Sequence, residues 1–233
     1  MENIVILTGA GISAESGLGT FRDAGGLWER HRVEDVASPE GFARDPALVQ
    51  RFYNARRAAA SAARPNAAHT ALARLQRDYP GQVTLVTQNV DALHEAAGSN
   101  EVLHMHGALA GALCPACGHR WPAPAQMETA HPCPACHQPG ARPDIVWFGE
   151  MPYHMETILT RLAACSYFVA IGTSGQVYPA AGFVQEADAN GAHTLELNLE
   201  ASARHSAFAE VRQGRASDLV PTWVAEMLAE ADR

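Results

Sequence analysis

Lysine and arginine together number 17 in 233 residues, against 25 aspartates and glutamates, for a formal charge of −8. A chain so poor in cations can neutralise few phosphates, so stable nucleic-acid binding is not expected. No stretch approaches the roughly 18 apolar residues of a membrane span. Met1-Glu2-Asn3 runs straight into an apolar segment with no charged-then-apolar leader. Together these point to a cytoplasmic chain with no membrane partner. Cysteine is scarce as well: the count is five, an odd number that argues against a disulfide framework. The acidic balance is compatible with basic peptide partners.

The first informative stretch is Ile4 to Arg22. Ile4-Val5-Ile6-Leu7 reads as a buried parallel strand. It stops at Thr8-Gly9-Ala10-Gly11, and Ile12 to Ser16 reads as a helix start. A strand, a glycine turn and a helix N-terminus favour an anion. Gly9, Gly11 and Ala14 fit the dinucleotide pattern G-x-G-x-x-G/A, although a tight turn beside a core strand would give the same residues. The stretch then departs from a dehydrogenase. Gly17, Gly19, Gly25 and Gly26 break any continuing helix, and Phe21 and Arg22 sit among them. That predicts a long loop over the phosphate turn, able to close on a nucleotide. Asp23 and Glu29 have the spacing of a ribose carboxylate, but neither ends a strand.

Further along, Asp45-Pro46 starts a helix expected to run to about Ala63, placing Tyr53 and Arg56 on one face. On its own this pair reads as a partly buried tyrosine beside a solvated arginine. Pro65-Asn66 opens a second helix with Ala68, Leu72 and Leu75 as its apolar stripe. Strands are expected at Val83–Thr87, Val102–Gly107, Ile145–Glu150, Tyr167–Ile171 and Thr194–Asn198, with helices at Tyr153–Ala164, Ala180–Asn190 and Leu219–Ala231. Polar residues gather at several carboxyl edges: Gln88 to Asp91, His106, Gly172 to Ser174, and Asn198. In an open parallel sheet that edge is where ligands bind. Alternation puts His104 and His106 on one side of their strand.

Cys114 and Cys117, then Cys133 and Cys136, form two C-x-x-C pairs separated by fifteen residues. Two such knuckles complete a thiolate tetrahedron suited to Zn²⁺. With four sulfurs no position is left for water or substrate, so the metal is read as structural. A redox dithiol is the competing reading. The module has too few apolar residues to fold without the metal. The fold expected is α/β: a Rossmann-like parallel sheet with helices on both faces, plus a small zinc-binding domain. Its divisions are 1–108 with 143–233, a small helical insert at about 28–64, and the zinc module at 109–142.

Together these motifs resemble the sirtuin family: GAGISAESGLGTFR (Gly9 to Arg22), PNAAHTAL (Pro65 to Leu72), TQNVDALH (Thr87 to His94), HMHG (His104 to Gly107), the paired knuckles, RPDIVWFGE (Arg142 to Glu150), GTS (Gly172 to Ser174), NLE (Asn198 to Glu200) and Ala216 to Pro221. They run from end to end of the chain. The resemblance implies a protein-lysine deacylase that consumes NAD as co-substrate and holds one structural Zn²⁺. It implies that the Gly9-Ala10-Gly11 turn and Ser13 hold the pyrophosphate. Phe21 and Arg22 would lie on a loop over the nicotinamide end. Asn89 and Asp91 would sit in the nicotinamide pocket and favour nicotinamide departure. Ser174 and Asn198 would hold the adenosine half, and Ala14, Trp28, Gln88, Val90, Gly172, Thr173, Leu199, Glu200 and Ala216 would also contact NAD. His106 would be the general base, activating a ribose hydroxyl after the acyl oxygen has attacked C1′. The products would be free lysine, nicotinamide and 2′-O-acyl-ADP-ribose.

Val146, Phe148 and Gly149 would border the groove for acylated lysine in protein substrates, where a peptide adds as a strand. In the branch that removes acidic acyl groups, a Tyr-x-x-Arg pair lines the acyl pocket. Tyr53 and Arg56 match it, implying succinyl and malonyl removal with some deacetylation. A monomer is expected. A zinc-ribbon nucleic-acid binder, an NAD oxidoreductase and a mono-ADP-ribosyltransferase are the rival classes. Salt-dependent DNA binding, NADH formation and label transfer onto protein would respectively mark them.

Overall fold

The computed structural model describes residues 2–20 and 31–231. The chain enters β1 (Ile4–Thr8) and turns into the short α1 (Gly11–Ala14). A helical segment follows, made of α2 (Val33–Val36), α3 (Pro39–Arg44) and α4 (Pro46–Ala62). Then come α5 (Ala67–Asp78), β2 (Val83–Thr87), α6 (Leu93–Ala96) and β3 (Leu103–His104). A small sheet is built from β4 (Gly107–Leu113), β5 (Arg120–Pro122) and β6 (Arg142–Ile145). The chain returns through α7 (Met155–Ala163), β7 (Tyr167–Ile171), α8 (Phe183–Ala189), β8 (His193–Asn198), β9 (Glu210–Gln213) and α9 (Ala216–Ala231). No described helix is long and apolar enough to cross a membrane.

The large sheet has six parallel strands in the order β3-β2-β1-β7-β8-β9. Chain order reverses between β1 and β7, which makes that crevice the natural ligand site of a doubly wound sheet. Alternation along β1 feeds two cores. Ile4 and Ile6 pack with Leu72 and Leu75 of α5 and with Trp223 and Val224 of α9. Val5 and Leu7 pack with Ile158 and Leu162 of α7 and with Phe183 of α8. Helices therefore cover both faces, as a sheet buried on both sides requires. A third core joins α4 to the small sheet through Val49, Phe52, Tyr53, Leu109, Ile145 and Trp147.

Local chemistry sets the helix boundaries. Asp45 accepts from the Leu48 N–H at 2.8 Å and Pro46 follows at the first helical position. Asn66 caps α5 in a capping box with His69.

Three expectations change. The segment Val102–Gly107 is not one strand: only Leu103 and His104 pair with β2, and the chain turns at Met105-His106. Gly107, at φ +78, then leads into the small sheet, where a Cβ would collide with the Asp144 carbonyl. The strand expected at Ile145–Glu150 lies earlier, at β6, and pairs antiparallel with β4. Residues 146–150 form a turn, because Glu150 accepts from the Trp147 N–H at 2.9 Å and pairs with Arg142 at 2.9 Å. The last helix begins at Ala216, ahead of the expected Leu219.

Candidate active site

At the switch point two glycine turns press together. Gly9 N–H donates to Ile171 O at 2.9 Å and Gly11 N–H to Gly172 O at 2.8 Å. A Cβ on Gly9 would lie 2.8 Å from Gly172 O, and one on Gly11 2.7 Å from Gly172 Cα. Gly172 itself sits at φ +61. These glycines are thus required by backbone contact between the β1 and β7 turns. Among the described residues the Ala10 N–H has no backbone partner. Gln88 Nε2 donates to Thr173 Oγ1 at 3.0 Å, tying the β2 edge to the β7 edge. Ala14 is exposed beside this turn. Phe21, Arg22 and Trp28 lie outside the described residues.

Next to the turn, Asn89 Nδ2 donates to Ser13 Oγ at 3.1 Å, and Ser13 Oγ donates to Asp91 Oδ2 at 3.1 Å. All three are buried. Asp91 Oδ1 also accepts from the Leu93 N–H at 3.1 Å. Burial raises the Asp91 pKa, against the pull of the Leu93 N–H, the Ser13 hydroxyl and His104.

Two histidines reach consecutive carbonyls of this loop. His106 Nδ1 lies 3.1 Å from Gln88 O, and His104 Nδ1 lies 3.0 Å from Asn89 O. A carbonyl only accepts, so both Nδ1 atoms carry hydrogen. Burial holds the His106 pKa below its usual value, partly offset by the Gln88 carbonyl. His106 is therefore neutral near pH 7, with its lone pair on Nε2: the form a general base needs. The His106 carbonyl accepts from the Val146 N–H at 2.9 Å, and Leu109 N–H donates to Val90 O at 2.8 Å.

Beneath the site lie residues the sequence did not single out. His94 Nε2 is 3.0 Å from Thr8 Oγ1, which donates to Thr87 Oγ1 at 2.8 Å, and the Asn89 N–H donates to the same Thr87 oxygen at 3.0 Å. Thr8 spends its proton on Thr87, so His94 is the donor and its Nδ1 is left as an acceptor. His69 Nδ1 accepts from the Asn66 N–H at 3.3 Å, leaving its Nε2–H as a donor. That donor and that acceptor are buried without hydrogen-bond partners, on rings whose centroids are 4.9 Å apart. Burial pushes the His69 pKa down to about 4. Burial, with the nearby His69 and His104, pushes that of His94 down to about 3.

On α4, Tyr53 is 1% exposed and its oxygen receives the Trp147 indole N–H at 3.0 Å. Burial pushes the Tyr53 pKa up to about 12. The Arg56 guanidinium lies over the Phe52 ring at 5.7 Å. Burial lowers its pKa, opposed by attraction to Tyr53 and Asp91. In the turn after β6, the Val146 and Phe148 N–H groups are committed to His106 O and Ala37 O. Gly149 N–H has no partner among the described residues, and Phe148 is 54% exposed.

At the far edge, Asn198 Nδ2 donates to Thr173 O at 2.8 Å and to Glu196 Oε1 at 3.2 Å. Both amide hydrogens are thereby spent, and Oδ1 accepts from the Leu199 N–H at 3.1 Å, so one lone pair of that oxygen remains for a ligand. Glu196 is wholly buried and also accepts from the Ser202 N–H at 3.0 Å. Ser174 Oγ accepts from the Gln176 N–H at 3.4 Å. Leu199 and Glu200 are exposed on this rim. Ala216 opens α9, where the Glu15 carboxylate takes both the N–H and the hydroxyl of Ser217.

The four knuckle cysteines bring their sulfurs within 4.8 Å of one another. Cys114 and Cys136 are 3.6 Å apart and Cys117 and Cys133 3.8 Å. A Zn–S bond of about 2.3 Å sets a tetrahedral S···S edge of about 3.8 Å, so the cluster fits that ion. The two turns repeat one design: Gly118 N–H donates to Cys114 O and His137 N–H to Cys133 O, both at 2.9 Å, with φ of +73 and +62.

A family model described as Sir2 family matches residues 9–179. A protein of Vibrio vulnificus (strain YJ016) named NAD-dependent protein deacylase is 54% identical over 234 residues, covering 99% of this chain and 96% of that protein. One of the same name from Caulobacter vibrioides (strain ATCC 19089 / CIP 103742 / CB 15) is 54% identical, with 97% of each covered. A crystal structure of a Sir2 homolog–NAD complex superposes with a TM-score of 0.91 at 34% identity, covering 98% of this chain and 90% of that one.

Proposed function

The chain belongs to the Sir2 family, and from that premise we propose that it is an NAD-dependent protein-lysine deacylase that removes succinyl and malonyl groups, and acetyl groups less well. The observation that carries the reading is the hydrogen-bond partner of His106, which sets its tautomer. Its Nδ1–H is held by Gln88 O, which leaves Nε2 as a base beside the buried Asn89–Ser13–Asp91 cluster.

The residues present suit NAD. The crevice lies where strand order reverses, the Ala10 N–H has no backbone partner among the described residues, and Asn198 keeps acceptor capacity toward a ribose hydroxyl. NAD supplies the bond to nicotinamide that breaks and the ribose hydroxyls that accept the acyl group. In this reading Asn89 and Asp91 orient the nicotinamide end. His106 Nε2 takes a proton from a ribose hydroxyl, so that the acyl group leaves as 2′-O-acyl-ADP-ribose and lysine is freed. Val146, Phe148 and Gly149 present backbone to the substrate peptide. Arg56 and Tyr53 receive the distal carboxylate of an acidic acyl chain, where a guanidinium and a hydroxyl give charge-assisted bonds. Cys114, Cys117, Cys133 and Cys136 hold Zn²⁺ as a structural ion, because four thiolates leave no open position.

The test is nicotinamide release with acetyl-, malonyl- and succinyl-lysine forms of one peptide. The reading expects NAD-dependent release on all three, favouring the acidic chains, and its loss in His106→Ala. Absence of release with every acyl chain would overturn it.

A further inference from the structure

His104 stands two residues before the proposed base and is built in the opposite way. Its Nδ1 meets Asn89 O at 3.0 Å and its Nε2 meets Glu95 Oε1 at 2.7 Å. A backbone carbonyl and a carboxylate both accept, so a ring that satisfies both must carry two protons. We propose that His104 is a positioning residue: as an imidazolium bridging Glu95 and the Asn89 carbonyl, it fixes the Gln88–Asn89 loop whose other carbonyl orients His106. Loss of one proton leaves a lone pair facing either the carboxylate or the carbonyl, and the loop loses that anchor. Burial alone would disfavour the charge, but Glu95, the Asn89 carbonyl and Asp91 outweigh it and raise the His104 pKa.

Among the described residues the charged and titratable groups around the ring are few. Glu95 and His94 come from α6, with Asp91 just before that helix. On the open side a groove is shared with Arg120 of β5, Asp144 of β6, and Tyr153 and His154 ahead of α7. Arg120 is occupied there, paired with Asp144 at 3.1 Å and with the Tyr153 hydroxyl at 3.1 Å. His94 is held neutral by burial. Glu95 is thus the direct counter-ion of His104, and its own pKa is lowered by the contact despite partial burial.

The proposal rests on the deacylase reading for its kinetic consequence only. Histidine-resolved NMR titration of the whole protein reads the charge directly. It should find His104 doubly protonated at pH 7 while His106 is neutral, and Glu95→Gln should lower the His104 pKa by about one unit. In turnover, kcat should fall as pH rises through the His104 pKa, and Glu95→Gln should move that alkaline limb to lower pH without moving the acid limb. His104→Phe should lower kcat on the order of tenfold while KM for the peptide changes less than about twofold. Glu95 is partly exposed, so its variant tests the idea even if His104→Phe does not fold. A neutral His104 at pH 7, or an alkaline limb unmoved in Glu95→Gln, overturns the proposal. If no acyl peptide releases nicotinamide, the deacylase reading fails, and the NMR titration still decides the charge of His104.

Discussion

Trp147 donates its indole N–H to the Tyr53 oxygen at 3.0 Å, across the gap between the turn after β6 and α4. With that lone pair engaged, the phenol keeps its proton for another acceptor. Burial, which pushes its pKa up to about 12, keeps the proton in place at any working pH. Arg56, three residues on, stays charged because a guanidinium cannot shed its proton in this range. A hydroxyl donor and a cation on one helix face suit a carboxylate at the end of an acyl chain.

Arg56→Met should therefore cost succinyl-peptide turnover about a hundredfold in kcat/KM, and acetyl-peptide turnover less than about threefold. Tyr53→Phe should act in the same sense but more weakly. Matched peptides with the two acyl groups check this, and equal losses on both would remove the acid-pocket idea.

A polar stripe on α4 ties the helix to the cysteine module. Gln50 donates to Ala141 O at 2.7 Å, Asn54 exchanges two bonds with the Met127 backbone at 3.0 and 2.9 Å, and Arg57 donates to Leu109 O at 2.8 Å and Asn54 Oδ1 at 2.8 Å. Arg57→Leu strands buried acceptors and should cost about 2–4 kcal/mol in urea unfolding. Chelation, or Cys133→Ala, should release one zinc per chain and open 114–141 to protease, with the large sheet protected longer. Uniform digestion would contradict the metal's local role.

The His69–His94 pair predicts acid sensitivity. Both folded pKa values lie below the ordinary 6.5, at about 4 and about 3. Between those values and 6.5 the unfolded chain binds protons that the folded one refuses. The pair's contribution is then complete above pH 6.5 and is lost as pH falls toward 4, at up to about 1.4 kcal/mol per unit for each ring. Urea midpoints from pH 7.5 to 5 measure it, and His94→Gln should flatten the fall. A slope unchanged by that substitution would assign the acid loss elsewhere.

Much of this was legible because it is local. The cysteine spacing, the Asp45-Pro46 helix start and the alternation from Ile4 to Leu7 each carry their structure within a few residues. Alternation predicted one side for His104 and His106; the strand ends at His104, and the turn at Met105-His106 instead brings both rings to the same loop. What was not legible depends on partners far along the chain. The apolar run Ile145–Phe148 looked like a strand, and only Arg142 and Glu150 closing on Trp147 turn it aside. Arg142 also lies over the indole at 4.0 Å. Glu210–Gln213 has one apolar residue and is a strand only because β8 offers it an edge. Gly9 and Gly11 read as a phosphate cradle, but it is Gly172 that leaves no room for a side chain. The Gln50–Asn54–Arg57 stripe did carry a signal, polar residues at helical spacing on a helix that also buries Phe52 and Tyr53.

The 17 basic residues are all arginine, and the chain contains no lysine. The described ion pairs accordingly rest on arginine and histidine, such as Arg212 between Glu210 and Glu226 and Arg44 with Asp35. Unprotonated amines attack reactive acyl donors and expel the thiolate, and guanidinium, protonated throughout the working pH range, offers no such nucleophile. A protein deacylase of this composition has no lysine of its own to be acylated, so its turnover is expected to persist when acyl donors accumulate. After incubation with succinyl-CoA at pH 8, and hydroxylamine to clear thioesters from the cysteines, intact mass should show at most one adduct, on the α-amine. Turnover should match that of the untreated enzyme. Two or more hydroxylamine-stable adducts, or a fall in turnover that tracks adduct count, would show another side chain taking the acyl group.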